Sequence, residues 1–157
     1  MPSAIVLCKF VGTISLGLLT GVSYTLSTQS LPALLTLESA RPAAYTLSQT
    51  IRLANLHLQT LSAVSALALG SAFLLSPPRV RHPYLLWTAL IASASGGMSL
   101  TSDQLLKQWV AKEDVEDVNG EIVEKKARDQ QRFEFVKTGV SALAFTMTVI
   151  GIWGEGA

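Results

Sequence analysis

The chain has 157 residues, 49% of them hydrophobic and only 15% charged, with a formal net charge of +1 and a mean hydropathy of +0.40. An ordinary soluble domain carries roughly 25% charged residues, and here 16 of the 23 charged side chains fall between Asp103 and Lys137. The near-zero charge and the lack of a large basic patch exclude nucleic-acid binding. A single cysteine, Cys8, excludes an internal disulfide framework and a cysteine-only metal site. What remains is nearly charge-free over long runs, the pattern of a multi-pass membrane protein.

The first predicted span covers about residues 4–26. Lys9 is its only charge, and no small-x-small cleavage site ends the apolar run where a secretory signal would need one, so a retained span is expected. Gly17 and Gly21 form a GxxxG pair, with Gly12 nearby, which predicts close helix packing. Residues 28–52 are mixed. Leu31, Leu34, Leu35 and Leu37 suit a short interfacial helix, and Arg41–Pro42 a turn after it.

The second predicted span is about 53–75, with Ser62, Ala66 and Gly70 at intervals of four. Pro77 and Pro78 must stop it, because they remove two backbone donors and fix φ. Arg79, Arg81 and His82 would be costly in hydrocarbon, so this link belongs at a headgroup or in water. Pro83 suits the first turn of the next helix. Tyr84 and Trp87 are the aromatic rings expected at a bilayer edge. The third predicted span, about 84–100, has Ala89, Ser93 and Gly97 on one face, and its Gly96–Gly97 pair is where it could bend.

The hydrophilic segment 103–137 holds nine acidic and seven basic residues. Glu121 with Lys125, and Glu124 with Arg128, are Glu-to-cation pairs at i, i+4, and Asn119–Gly120 is a turn signal. The segment reads as a charged helical hairpin standing off the membrane, with a merely solvated loop as the plainer alternative. The fourth predicted span, about 138–153, has Phe133 and Phe135 before it and Trp153 at its end. The fold expected is therefore all-α, a single membrane domain built as a four-span bundle. Both termini and the proline turn would lie on one side. Nine of the twelve basic residues would lie on the other, which the positive-inside rule assigns to the cytosol.

No phosphate-binding glycine loop, zinc-protease helix motif, cysteine pair or nucleophile elbow occurs. No predicted span carries a buried acidic residue, and the carboxylates read as a solvated helical surface. The expectation is a protein that is not an enzyme and needs no cofactor. His57, with Asn55 and Gln59, is the one polar cluster at a span and the basis of an enzyme or transporter alternative. No carboxylate or second histidine lies within helical reach of His57, so an interfacial or structural role is favoured.

Two segments go beyond a generic tetraspan. PPRVRHPYLLW, which includes Pro77, Pro78, Arg81, His82, Pro83 and Tyr84, and VIGIWGEG, which ends in Gly154, Glu155 and Gly156, resemble the fungal autophagy-related protein 33 family. The overall plan is similar too, although the central insert is shorter than in the best-known member. The resemblance implies a mitochondrial outer-membrane protein for selective autophagy of mitochondria, and it brings no catalytic residues. Its partners would be membrane lipid and autophagy machinery or other outer-membrane proteins, with oligomers also open. The hairpin, with Trp109, Glu113, Asp114, Glu116, Asp117, Lys125, Lys126 and Arg128, is the expected docking surface. Phe133–Val136 formally fits a motif for a ubiquitin-like autophagy protein, but such motifs bind as added strands and this one lies in a predicted helix. A structural subunit of a larger membrane complex is the principal alternative.

Overall fold

Prolines mark where several of the helices begin and end. The computed structural model describes residues 2–37, 39–78, 81–112 and 120–154, and the side chains of all of these except 2 and 106–112. Helix α1 spans Pro2–Thr25, α2 Leu31–Leu34, α3 Ala40–Leu75, α4 Pro83–Lys112 and α5 Gly120–Gly154. A π-helical stretch, Leu26–Ser30, joins α1 to α2 without a break. It sits just before Pro32, which lacks the N–H that an α-helix would direct at Thr28, and the Leu31 amide instead reaches back to the Leu26 carbonyl.

The interfacial helix and the turn at Arg41–Pro42 are corrected by this arrangement. The first helix continues to Leu34, and α3 begins at Ala40. Pro42 lies in the first turn of α3, where its missing donor costs nothing. At the other end α3 stops at Leu75, where the double proline requires it. Arg81 folds back to cap it, donating to the carbonyls of Ser76 and Leu74 at 3.3 Å and lying 4.9 Å from the Phe73 ring. These bonds serve carbonyls that the last helical turn leaves without partners.

The four long helices form a ring in which α1 packs on α3, α3 on α4, α4 on α5, and α5 on α1. Buried positions recur at alternating steps of three and four. In α4 they are Leu85, Thr88, Ala92, Ser95, Ser99 and Ser102, with Ala89 also buried beside Thr88; in α5 they are Val123, Ala127, Glu134, Lys137, Ser141, Ala144 and Thr148, with half-buried Gln130 dividing the step of seven between Ala127 and Glu134. That period of 3.5 keeps one seam facing the bundle axis and is the signature of left-handed supercoiled packing.

The seam differs from the faces expected from spacings of four. Ser62 is buried and Ala66 half-buried, whereas Ser93 and Gly97 are exposed. A step of four residues turns 40° past a full circle, so such a stripe drifts off the seam within two steps. The glycines divide accordingly. A Cβ at Gly12 would lie 2.7 Å from Leu69, one at Gly17 3.0 Å from Phe145, and one at Gly151 2.7 Å from the Tyr84 ring. Gly96 sits directly against Ser62. By contrast Gly21, Gly70 and Gly97 have open space where a side chain would start.

The surface is apolar along much of its length. Leu67, Leu74 and Leu143 are 74, 72 and 67% exposed, while serines 62, 65, 95, 99 and 141 are buried. Large hydrophobic side chains outside and small or hydroxyl-bearing ones inside are the inverse of a water-soluble bundle. Ser3–Leu34, Ala40–Leu75 and Gly120–Gly154 are long and apolar enough to cross a membrane. Helix α4 is not among them, because Ser93, Ser95, Gly96, Gly97 and Ser99 dilute its apolar run.

The limbs of the expected hairpin are continuations of α4 and α5, and its tip, with Glu113, Asp114, Glu116, Asp117 and Asn119, lies outside the described residues. The α5 limb does not stand alone. Val123 and Ala127 pack into a core with Leu31, Leu34, Ala43, Leu47 and Ile51 from α2 and the first half of α3.

Candidate functional site

Candidate function lies in a polar layer inside the bundle, a charged face on α5, and the segments Pro77–Trp87 and Val149–Gly156.

The polar layer is built on Glu134 and Lys137, which are 1% and 0% exposed. The Lys137 ammonium lies 2.7 Å from Glu134 Oε1 and donates to Ser99 Oγ at 3.1 Å. Gln130 Nε2 donates to the same carboxylate oxygen at 3.0 Å, and Ser102 Oγ donates to Gln130 Oε1 at 3.0 Å. The Phe133 ring centroid is 5.4 Å from the ammonium. This network ties α4 to α5 through side chains that a chain-local reading places on a solvated surface. The expectation that the carboxylates of 103–137 form a solvated helical surface is therefore corrected at Glu134. The heptad seam of α5 runs unbroken through the charged stretch and carries Glu134 and Lys137 inward. That periodicity was the signal available in the sequence.

The same burial decides the fate of Phe133–Val136. The segment is helical, and its Glu134 is held in the ion pair, so it cannot add to a sheet edge as it stands. His57, Asn55 and Gln59 are not brought together either. His57 is exposed with Nδ1 2.7 Å from the Leu53 carbonyl, whereas Asn55 is 1% exposed and turned to the bundle axis. His57 is two residues from each of the others, about 200° of rotation away, whereas Asn55 and Gln59, four apart, share a face.

The charged face belongs to the first turns of α5. Lys125, Lys126 and Arg128 are exposed, on the side away from Val123 and Ala127. The expected Glu124–Arg128 pair forms at 2.8 Å, with both side chains more than half exposed. Trp109 lies in the last turns of α4. A cleft of about 320 Å³ opens beside this face, lined by Leu47 and Ile51, by Thr101, Ser102 and Leu105, and by Lys126, Asp129, Gln130 and Phe133.

The segments Pro77–Trp87 and Val149–Gly156 lie 62 residues or more apart in sequence, yet Tyr84 of one meets Gly151 of the other. Pro83 opens α4, and the next residue, Tyr84, lays its ring on the backbone of α5 at Gly151. Its ring centroid is 6.0 Å from that of His82. Pro77 and Pro78 end α3, as described, and Gly154 is the last residue of α5; Glu155 and Gly156 lie outside the described residues. Parts of the two segments thus share one end of the bundle, at Tyr84 and Gly151.

Fold and surface define the class: an all-helical bundle, with three stretches of membrane-crossing length and polarity, small and polar residues inside, and a charged helical half beyond its apolar half. Within that class, the family model for autophagy-related protein 33 matches residues 1–134. Autophagy-related protein 33 of Gibberella zeae is 36% identical over 185 aligned positions, covering 99% of this chain and 93% of the relative. The chain belongs to the autophagy-related protein 33 family. The alignment is longer than the chain, so the relative carries residues that this chain lacks. No solved structure matches it.

Proposed function

We propose that this protein is a non-enzymatic, four-span protein of the mitochondrial outer membrane that promotes selective autophagy of mitochondria. It acts by recruiting partners or remodelling the membrane, and its charged half is the docking surface. Family membership supports the autophagy-related role.

Two observations support α4 as the fourth span. It lies antiparallel beside the apolar parts of α3 and α5, through Ser62 with Ala92 and Tyr84 with Gly151. Its outer face carries exposed Leu86, Trp87 and Leu90. Four spans leave both termini and the Pro77–Pro83 turn on one side, with the charged half facing the cytosol.

The observation that carries the docking role is the α5 face itself, held rigid by Val123 and Ala127 while Lys125, Lys126 and Arg128 project outward. The test is to replace these three by Glu in cells that otherwise lack the protein, and to follow mitochondrial turnover with a matrix reporter during prolonged respiratory growth. Loss of turnover with normal insertion is expected; unchanged turnover removes this face from the mechanism.

A second reading, a structural subunit of a larger membrane complex, draws on Gly21, Gly70 and Gly97, which leave shallow open strips on the outside of the bundle. Small residues there suit lateral packing with another helix. A stoichiometric partner lost from purified protein on Gly97→Leu substitution favours that reading.

A further inference from the structure

Among the described residues, four buried side-chain atoms have no protein partner: Ser23 Oγ, Asn55 Nδ2, Asn55 Oδ1 and Glu134 Oε2. They come from α1, α3 and α5, yet helix register puts them at one level. Ser65 donates to the Gly12 carbonyl, so α1 and α3 run antiparallel with Ser23 level with Asn55. Ser62 donates to the Ala92 carbonyl, which sets Asn55 level with the stretch of α4 from Ser99 to Ser102. Those two serines are bonded to Lys137 and to Gln130, on either side of Glu134. Gln131 Nε2 donates to the Ser27 carbonyl, which closes the ring between α5 and α1 at the same level.

We infer that this level of the bundle is a binding site for internal water, which bridges Glu134 Oε2, the Asn55 amide and the Ser23 hydroxyl. Neighbouring helices in a bundle lie roughly 8–10 Å apart, and α1, which carries Ser23, packs on both α3 and α5, so a short chain of waters can link the three groups. The chemistry selects water over an ion. Glu134 is already neutralised by Lys137, whose ammonium would repel a second cation. An amide and a hydroxyl each offer both donors and acceptors, and water answers both. Burying all four atoms unpaired would cost far more than immobilising a few waters. The cleft between α3, α4 and α5 borders this network, since Ser102 and Gln130 belong both to the network and to the cleft wall.

The test uses the full chain reconstituted in lipid vesicles. In water-edited solid-state NMR, the Asn55 side-chain amide should gain magnetisation from water far faster than the methyl groups of buried Leu69. A rate matching Leu69 overturns the inference. Independently, Asn55→Leu should lower the melting temperature by several degrees, because a water-bridged amide is replaced by a group that cannot hold the water. An unchanged or raised melting temperature is the result of a dry layer and overturns it as well. Should the variant fail to fold, the NMR measurement on the unaltered chain decides alone.

Discussion

The two halves of the bundle share one seam but face different surroundings. Towards the Pro77–Pro83 turn, the core holds Leu16, Leu69, Ala72, Leu85, Ala89, Ala92 and Ala144, interspersed with buried serines and threonines. Towards the other end it holds Leu31, Leu34, Leu47, Ile51 and Val123, with only Ala43 and Ala127 as small members. The outer surface changes in the opposite sense, from exposed leucines to Glu121, Glu124, Lys125, Arg128, Asp129 and Arg132.

Where the outside is charged, burying large apolar side chains drives association, because water is the alternative. Where the outside is apolar, burial from the proposed membrane gains little, and small residues that allow close approach take over. The Glu134–Lys137 layer lies between the two regimes. Helix α3, at 36 residues or about 54 Å, outreaches a hydrocarbon core of roughly 30 Å and so joins them in one rigid rod.

The largest disturbance of this comparison should come at the boundary. Lys137→Met leaves a carboxylate buried without its partner and should cost about 3–5 kcal/mol in unfolding of the detergent-solubilised protein. The double variant Glu134→Leu/Lys137→Met should recover most of it; no recovery would mean that the pair also organises something else.

Next in size, Leu47→Ala should cost about 2–5 kcal/mol by opening a cavity in the core of the charged half. Leu67→Ala, on the exposed face of the apolar half, should leave the fold nearly unaffected. Equal effects would abolish the distinction between the halves. Gly12→Val should cost about 1–3 kcal/mol, because its Cβ meets Leu69. Gly21→Ala, with open space around it, should be neutral or slightly stabilising. Smallest is Arg128→Ala, expected at about 0.5 kcal/mol or less, since its partner Glu124 is equally exposed to solvent.

Much of the fold was legible along the chain. The end of α3 at the double proline, the start of α4 at Pro83 and the Glu124–Arg128 pair are local effects, settled by missing donors and i, i+4 geometry. Pro42 was not legible in the same way. A proline in the first turn of a helix and one in a loop look alike until the packing of Ala43 and Leu47 against α5 selects the helix. Glu134 and Lys137 were hidden for a similar reason. In the run RFEFVK they are indistinguishable from their exposed neighbours unless the seam is traced into them from both sides.

The sequence by itself therefore determined the all-helical class, the helix ends set by Pro77–Pro78 and Pro83, and the family, because each depends on residue type and local spacing. Only the tertiary structure decided which glycines pack, where the charged limb rests, and that a glutamate and a lysine lie inside. Those outcomes depend on which of several compatible helix faces meets a neighbour. That choice is made by four helices together, through the closeness of Gly12 to Leu69 and Tyr84 to Gly151, and not by any one stretch of chain.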